Sequence, residues 1–207
     1  MLLFGHIGIT LASAALGSGI TDKISYGITK NVGKGTLLAK SSHHANSKTS
    51  LFNSLANRVD IRFLLIGSLL PDIIDKPIGV YFFRETFSNG RIFSHTLLFL
   101  VLVMVAGLLV KKYSGKTLGL ALSIGTLFHL ILDQMWLMPR TLLWPLFGTG
   151  FERMETANWL RNLLHSLLEE PEIYVPEIIG LAVLAWFMLE LLRRGAIMAF
   201  LRQGKVG

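Results

Sequence analysis

Five stretches of the chain approach the roughly 20 mostly apolar positions that a helix needs to cross the hydrocarbon of a bilayer. They run from Leu2 to about Ile20, Phe63 to about Phe83, Ile92 to Val110, Thr117 to about Met138, and Val175 to Leu192. The third is the cleanest, with a 15-residue uncharged run beginning at Thr96. This pattern predicts an all-α integral membrane protein: a bundle of about five transmembrane helices forming one domain over residues 1–207. Two polar segments interrupt it. Residues 21–60 are rich in Gly, Ser, Asn and Lys and read as a basic loop, with Ser41-Ser42-His43-His44 as a solvated pair of histidines. Residues 139–174 carry Pro139, Pro145, Gly148, Gly150 and Pro171 around a helical spacing at Asn158–Leu168, and read as a capping segment with one or two short helices. Ala12-Ser13-Ala14-Ala15 resembles a signal-peptide cleavage region. No base precedes the apolar run, however, and the first is Lys23, so the first stretch is expected to be a retained helix.

Composition agrees with this pattern. Apolar residues make up 52% and charged residues only 16%, against about 25% charged in a soluble domain. That excludes an ordinary water-soluble enzyme and a disordered tail. The chain has no cysteine, so any metal must be held by nitrogen and oxygen. The formal net charge of +7 is unevenly placed. Residues 21–62 hold seven bases against two acids, 111–116 hold three lysines, and 193–207 hold four bases, whereas 139–172 hold three bases against five acids. With five spans, every basic cluster falls on one side. The positive-inside bias then places the N-terminus outside and the C-terminus in the cytoplasm of a cell-membrane protein. Trp136, Trp144, Trp159 and Tyr174 cluster on the outer side, where an interfacial aromatic belt lies. The basic clusters flank apolar runs, so no nucleic-acid partner is expected.

Ionisable groups inside spans are costly, and each raises a functional question. They are His6, Asp72, Asp75, Lys76, His95, His129, Asp133, Glu177 and Glu190. In the five-span arrangement all but Lys76 and Glu190 are assigned to the outer end of the bundle. Glu190 is expected to pair with Arg193 or Arg194 one turn on. The histidines and carboxylates form a nitrogen/oxygen set suited to Zn²⁺ or Mn²⁺. His129 and Asp133, four residues apart, project from one helix face, and so do Asp72 and Asp75, three apart. Pro71, with Gly67 and Pro77, is expected to break the second span, and broken helices at membrane depth line cavities. His95 can bind an ion, cap a helix or bond between helices. A polar network that merely glues the bundle is the plainer reading. It accounts poorly for four spans each contributing acceptor groups with few cations among them.

At these residues the chain resembles the YdjM-like family of membrane-bound metal-dependent hydrolases. The matching pieces are Leu3-Phe-Gly-His6, Gly67-Ser-Leu-Leu-Pro-Asp72-Ile-Ile-Asp75-Lys-Pro77, Gly90-Arg-Ile-Phe-Ser-His95-Thr, Phe128-His129-Leu-Ile-Leu-Asp133 and Leu142-Leu-Trp144-Pro-Leu146. They run in family order and cover most of the chain. The resemblance implies a helical membrane domain distantly similar to zinc-dependent phospholipase C, with His6, Asp72, Asp75, His95, His129 and Asp133 as candidate ligands. Many members carry another histidine five residues before the motif histidine. Gly90 stands there in this chain, so a ligand is missing or the chain marks a subgroup.

The expected cofactor is one to three divalent ions, Zn or Mn, activating water near neutral pH. Asp72 or Asp75 is the candidate general base. Arg91 is a candidate for gripping a phosphate, or a snorkel to lipid headgroups. Lys76 neutralises either a leaving phosphate or the neighbouring carboxylate. Glu177 and His165 are secondary candidates. The expected partners are membrane lipids and an amphiphilic phosphoester substrate. The alternatives are a divalent-metal or proton transporter and a non-catalytic membrane scaffold.

Overall fold

The computed structural model describes residues 2–32, 55, 59–154, 158–204 and 206, and among them every regular element is helical, with no strand. Helix α1 spans Leu3–Val32. It carries on through residues 21–32, the first part of the expected basic loop. No proline interrupts the stretch, so nothing local stops the helix where the hydrophobic run ends. The His43–His44 pair lies outside the described residues.

The second apolar stretch is broken, as its prolines and glycine suggest. Helix α2, Ile61–Gly67, starts at Asp60, whose carboxylate accepts from Arg62 N. Helix α3, Leu70–Lys76, carries Pro71 in its first turn, where proline's missing donor costs nothing. Pro77 has no N–H to continue the α pattern, and the chain passes into a π-helical turn over Pro77–Phe82.

Residues 92–96, expected to open the third span, instead form an irregular segment. Helix α4, Leu97–Ser114, begins only after it, where Thr96 Oγ1 accepts from Phe99 N at 3.0 Å, and it ends at Gly115 in the left-handed region (φ 70°). Helix α5, Leu118–Leu132, is shorter than its apolar stretch because Asp133 and the left-handed Gln134 (φ 52°) close it. A short 3₁₀ turn, Met135–Leu137, and helix α6, Pro139–Leu142, follow. Helix α7, Trp159–Glu169, is the amphipathic helix of the capping segment. Helix α8 runs Pro171–Arg193 and α9 runs Ile197–Gln203. Glu190 pairs with Arg194 at 2.6 Å.

Among the described residues, two helices, α4 and α8, are long and apolar enough to cross a membrane, while Leu3–Gly19 of α1 and all of α5 are shorter apolar helices. Only 6% of α4 is buried in the protein, so its leucines and valines are not those of a soluble core helix. The main packing pairs are α1 on α8, α4 on α5 and α2 on α5. A hydrophobic core of Leu11, Ala15, Ile61, Leu64, Phe187 and Leu191 joins α1, α2 and α8. Small residues allow close helix approach. A Cβ on Gly125 of α5 would stand 2.7 Å from Ser68 N, so the end of α2 can lie directly against α5 one turn before His129.

Candidate metal centre

Irregular backbone and helix ends converge on one buried cluster. His129 projects from the last turn of α5, and Asp133 caps that helix. Asp72 lies in the first turn of α3, and His6 in the first turns of α1. His95 comes from the irregular segment before α4. All three histidines are fully buried.

Asp75 explains how the irregular segment holds its shape. Its carboxylate, completely buried, accepts from Ile92 N at 2.7 Å, Ser94 N at 3.0 Å and His95 N at 3.2 Å, and it meets His95 Nδ1 at 2.7 Å. Ser94 Oγ donates to Pro71 O at 3.0 Å and ties the same segment to α3. Asp75 was a candidate ligand and general base. The structure puts it behind His95, where three backbone donors that have no helix to satisfy them point at it. It orients the His95 ring, as carboxylates commonly do for metal-binding histidines.

His129 is oriented in the same way from a different source. Its Nδ1 donates to Ser68 O at 2.7 Å, a carbonyl left open where α2 ends. Both Nδ1 atoms thus face acceptors and carry the hydrogens. With the rings neutral, Nε2 of His95 and Nε2 of His129 are bare lone pairs, 3.1 Å apart. Two such lone pairs repel unless a cation lies between them.

The carboxylates close the cluster. Asp72 Oδ1 lies 3.6 Å from His95 Nε2 and 3.9 Å from His129 Nε2. Asp133 Oδ2 lies 3.8 Å from His95 Nε2 and 4.0 Å from His129 Nε2, and its Oδ1 lies 3.0 Å from His6 Nε2. The His6 ring stacks on His129, centroids 4.2 Å apart at 19°. Neither nitrogen of His6 makes a hydrogen bond, since Asp133 Oδ1 is near Nε2 but off the direction of one. Two triplets of donor atoms each lie within 4.8 Å of one another: His6, His129 and Asp133, and Asp72, His95 and His129. Donors around a first-row ion at bonds of about 2.0–2.2 Å adopt separations of this order. The donor set therefore fits a divalent ion, and the buried, unbonded His6 Nε2 fits it too. His129 belongs to both triplets and has one nitrogen to give, so they are halves of one centre.

Two cations border the cluster. Lys76 Nζ donates to Asp72 Oδ2 at 2.6 Å, and Arg91 Nε donates to Asp133 Oδ2 at 2.8 Å. Lys76 and Arg91 each offset one carboxylate of the cluster. Arg91, a third exposed, is turned inward onto the Asp133 carboxylate rather than outward to headgroups. Of the secondary candidates, Glu177 caps the N-terminus of α1, accepting from Leu2, Phe4 and Gly5 N–H groups. His165 is well exposed, 3.3 Å from Glu169 and outside the cluster. The Ser68 carbonyl is the functional group that sequence reasoning missed, and a backbone oxygen carries no residue signal.

A family model described as YdjM inner membrane protein matches residues 1–202 of the chain. No curated protein and no solved structure matches it. Neither comparison extends the resemblance to zinc-dependent phospholipase C.

Proposed function

Because the chain belongs to the YdjM family of inner membrane proteins, we propose that it is a membrane-embedded metal-dependent hydrolase acting on the phosphoester of a lipid or similar amphiphile. The observation that carries this reading is the pair of Nε2 atoms of His95 and His129, 3.1 Å apart, with both Nδ1 atoms committed to acceptors. His6, Asp72, His95, His129 and Asp133 would hold the ion, with zinc the best match to a histidine-rich set lacking sulfur. When bound, such an ion supplies Lewis-acid polarisation of a phosphoryl oxygen and activates water near neutral pH.

The remaining work falls to the chain's own residues. Asp75 and the Ser68 carbonyl lock two imidazoles in one tautomer and one orientation. Lys76 Nζ, bonded to Asp72 Oδ2, holds a proton at the rim, where a leaving oxygen can take it. Arg91 places Nε on Asp133 and Nη1 against Met138 Sδ, a weak acceptor that a phosphate can displace, and Nη2 extends the same fork. Burial of all three histidines keeps bulk water from the donors.

The five-span arrangement, with the centre toward the outer face and zinc as the ion, belongs to the same proposal. Its support is the direction of the elements. The centre gathers the starts of α1 and α4 and the end of α5, while Lys111, Lys112, Arg193 and Arg194 stand at the far ends of α4 and α8. A transporter would need titratable groups through the full depth, whereas the buried histidines and aspartates gather at one end and the Glu190–Arg194 pair stands at the other.

Elemental analysis of the purified protein beside His129→Ala and Asp72→Asn tests the reading. Stoichiometric metal is expected in wild type, with loss in His129→Ala and reduction in Asp72→Asn. Equal metal in all three, or none in wild type, overturns it. In reconstituted vesicles, chelator-sensitive phosphate release from a lipid phosphoester tests the hydrolytic step.

A further inference from the structure

Residues 91–95 lie outside any helix, yet four of their backbone N–H groups have side-chain partners. Asp75 takes Ile92, Ser94 and His95. Asn89 takes the fourth, its Oδ1 accepting from Arg91 N at 2.8 Å. A side-chain carbonyl that accepts from the N–H two residues on makes an Asx turn, which fixes the direction in which the chain leaves it. The residue delivered by this turn is Arg91, whose Nε then reaches Asp133 Oδ2 at 2.8 Å.

Asn89 is completely buried and stands where three pieces of the molecule meet. Its N donates to Gly79 O at 3.3 Å in the π-helical turn, and its Nδ2 donates to Glu152 O at 2.7 Å in the capping segment. A Cβ on Gly79 would collide with the Asn89 carbonyl, so glycine is what lets the turn come this close. The preceding residue ties the same stretch again: Met154 N donates to Ser88 O and Ser88 Oγ donates to Met154 O, both at 2.8 Å. Ser88 lies in the left-handed region (φ 43°), a conformation that a serine keeps only where its surroundings fix it.

The backbone after Arg91 has supports of its own. Asp75 holds three of its N–H groups, and Phe93 packs edge-on against Phe87 and Phe151, with centroids 5.5 and 5.1 Å apart. His95 therefore does not depend on Asn89 for its place, whereas Arg91 does.

We propose that Asn89 is the positioning residue for Arg91: its Asx turn, anchored on Gly79 and Glu152, aims the guanidinium at Asp133 and at a phosphate oxygen on the rim of the metal centre. The inference rests on the hydrolase reading for the phosphate alone. The aim of Arg91 onto Asp133 is tested apart from it.

Heteronuclear NMR of the full chain in detergent, with isotopic nitrogen in its arginines, reads the Arg91 Nε–H, assigned by its loss in Arg91→Lys. In wild type this hydrogen is expected to exchange slowly with water, because a carboxylate holds it. Exchange is expected to rise several-fold in Asn89→Leu, or in Asn89→Ala should the first fail to fold. In Asn89→Asp, which keeps an acceptor for Arg91 N, it is expected to stay near wild type. Binding of inorganic phosphate, followed by calorimetry, is expected to weaken several-fold in Asn89→Leu. The double variant with Arg91→Ala is expected to bind phosphate no more weakly than Arg91→Ala itself, because the two residues act through one guanidinium. Metal content is expected to match wild type throughout. Wild-type exchange of the Arg91 Nε–H in a folded Asn89→Leu or Asn89→Ala overturns the proposal. So does a further loss of phosphate affinity in the double variant, or metal loss in Asn89→Leu, since Asn89 would then hold the segment of His95. Wild-type protein that binds no phosphate, but whose Arg91 Nε–H depends on Asn89 as expected, counts against the hydrolase reading and leaves the positioning role in place.

Discussion

The carboxylate of Glu177 on α8 holds the backbone of Gly5 on α1, with Gly5 N–H donating to Oε1 at 3.1 Å. Leu2 N and Phe4 N donate to the same carboxylate at 2.7 and 2.9 Å. The first N–H groups of a helix have no partner within it, and the macrodipole favours an anion there. Glu177 satisfies both demands from another helix. Because His6 follows Gly5, the cap also sets the height at which a candidate ligand enters the centre.

Glu177→Ala should therefore cost about 1–3 kcal/mol, since it leaves buried donors unmade, and Glu177→Gln should cost less because it keeps an acceptor. Both should lower metal content through His6 without touching a ligand. Thermal unfolding in detergent, read beside metal stoichiometry, checks this. A wild-type melting point and full metal in Glu177→Ala would show that the cap does not position His6.

Asp75→Asn separates an orienting carboxylate from a ligand. The amide keeps an acceptor for some of the backbone N–H groups but weakens the hold on His95 Nδ1. Loss of such an orienting partner typically costs about 10–100-fold in metal affinity. Chelator competition should show that drop, against near-complete loss in His129→Ala. If the two variants lose metal equally, Asp75 is a ligand and its placement behind His95 is misassigned.

What was legible in the sequence, and what was not, follows from the kind of signal each feature leaves. His6, Asp72, His95, His129 and Asp133 stood out because an ionisable group in an apolar stretch needs a reason, and all five meet in one cluster. The four-residue spacing of His129 and Asp133 does put both at the centre. The three-residue spacing of Asp72 and Asp75 suggested a joint grip, yet the two split their tasks. That division depends on the fold of residues 92–95, whose N–H groups turn toward Asp75, and no spacing rule records it. The Ser68 carbonyl leaves no trace because every residue has one. Helix lengths were misjudged where hydropathy and helicity part company: α1 outruns its apolar stretch, and α5 stops at Asp133 before its own stretch ends.

Arg91→Ala tests the division between holding the ion and binding a phosphate. Removing the guanidinium frees one oxygen of Asp133, whose other oxygen still faces His6. Metal stoichiometry should remain near wild type, while inhibition by inorganic phosphate should weaken by about tenfold or more, as expected for a lost charge-assisted pair of about 1.5–3 kcal/mol. Arg91→Lys should recover charge but not the two-pronged grip. Unchanged phosphate inhibition in Arg91→Ala would restrict Arg91 to steadying Asp133.

Gly180→Val probes the seam between α1 and α8. A Cβ there would meet the Phe4 carbonyl and stand 2.8 Å from Gly5 Cα, so the helices must part. Overpacking of this kind costs about 1–3 kcal/mol, and the shift falls on the turn that carries His6. The variant should melt earlier and hold less metal. Gly17→Val, on α1 with open space around its Cβ, is the control and should do neither. Equal behaviour of the two variants would remove the seam from the account of the centre.

Metal removal should destabilise the whole domain, because the donors come from α1, α3, α5 and the segment before α4. An ion that binds only the folded state adds stability by mass action, about 2.7 kcal/mol at a free concentration a hundred times its dissociation constant. Stripping it returns the bare Nε2 pair of His95 and His129 to mutual repulsion. Chelation should therefore lower the melting point and raise hydrogen exchange at Ile92, Ser94 and His95, whose N–H groups depend on Asp75 staying in place. The far core around Leu11, Leu64 and Leu191 opens only with the whole domain, so its exchange should rise less, by the factor that the lost global stability sets. If chelation leaves both the melting point and that exchange unchanged, a proton shared between the two histidines, rather than a metal ion, holds the cluster together.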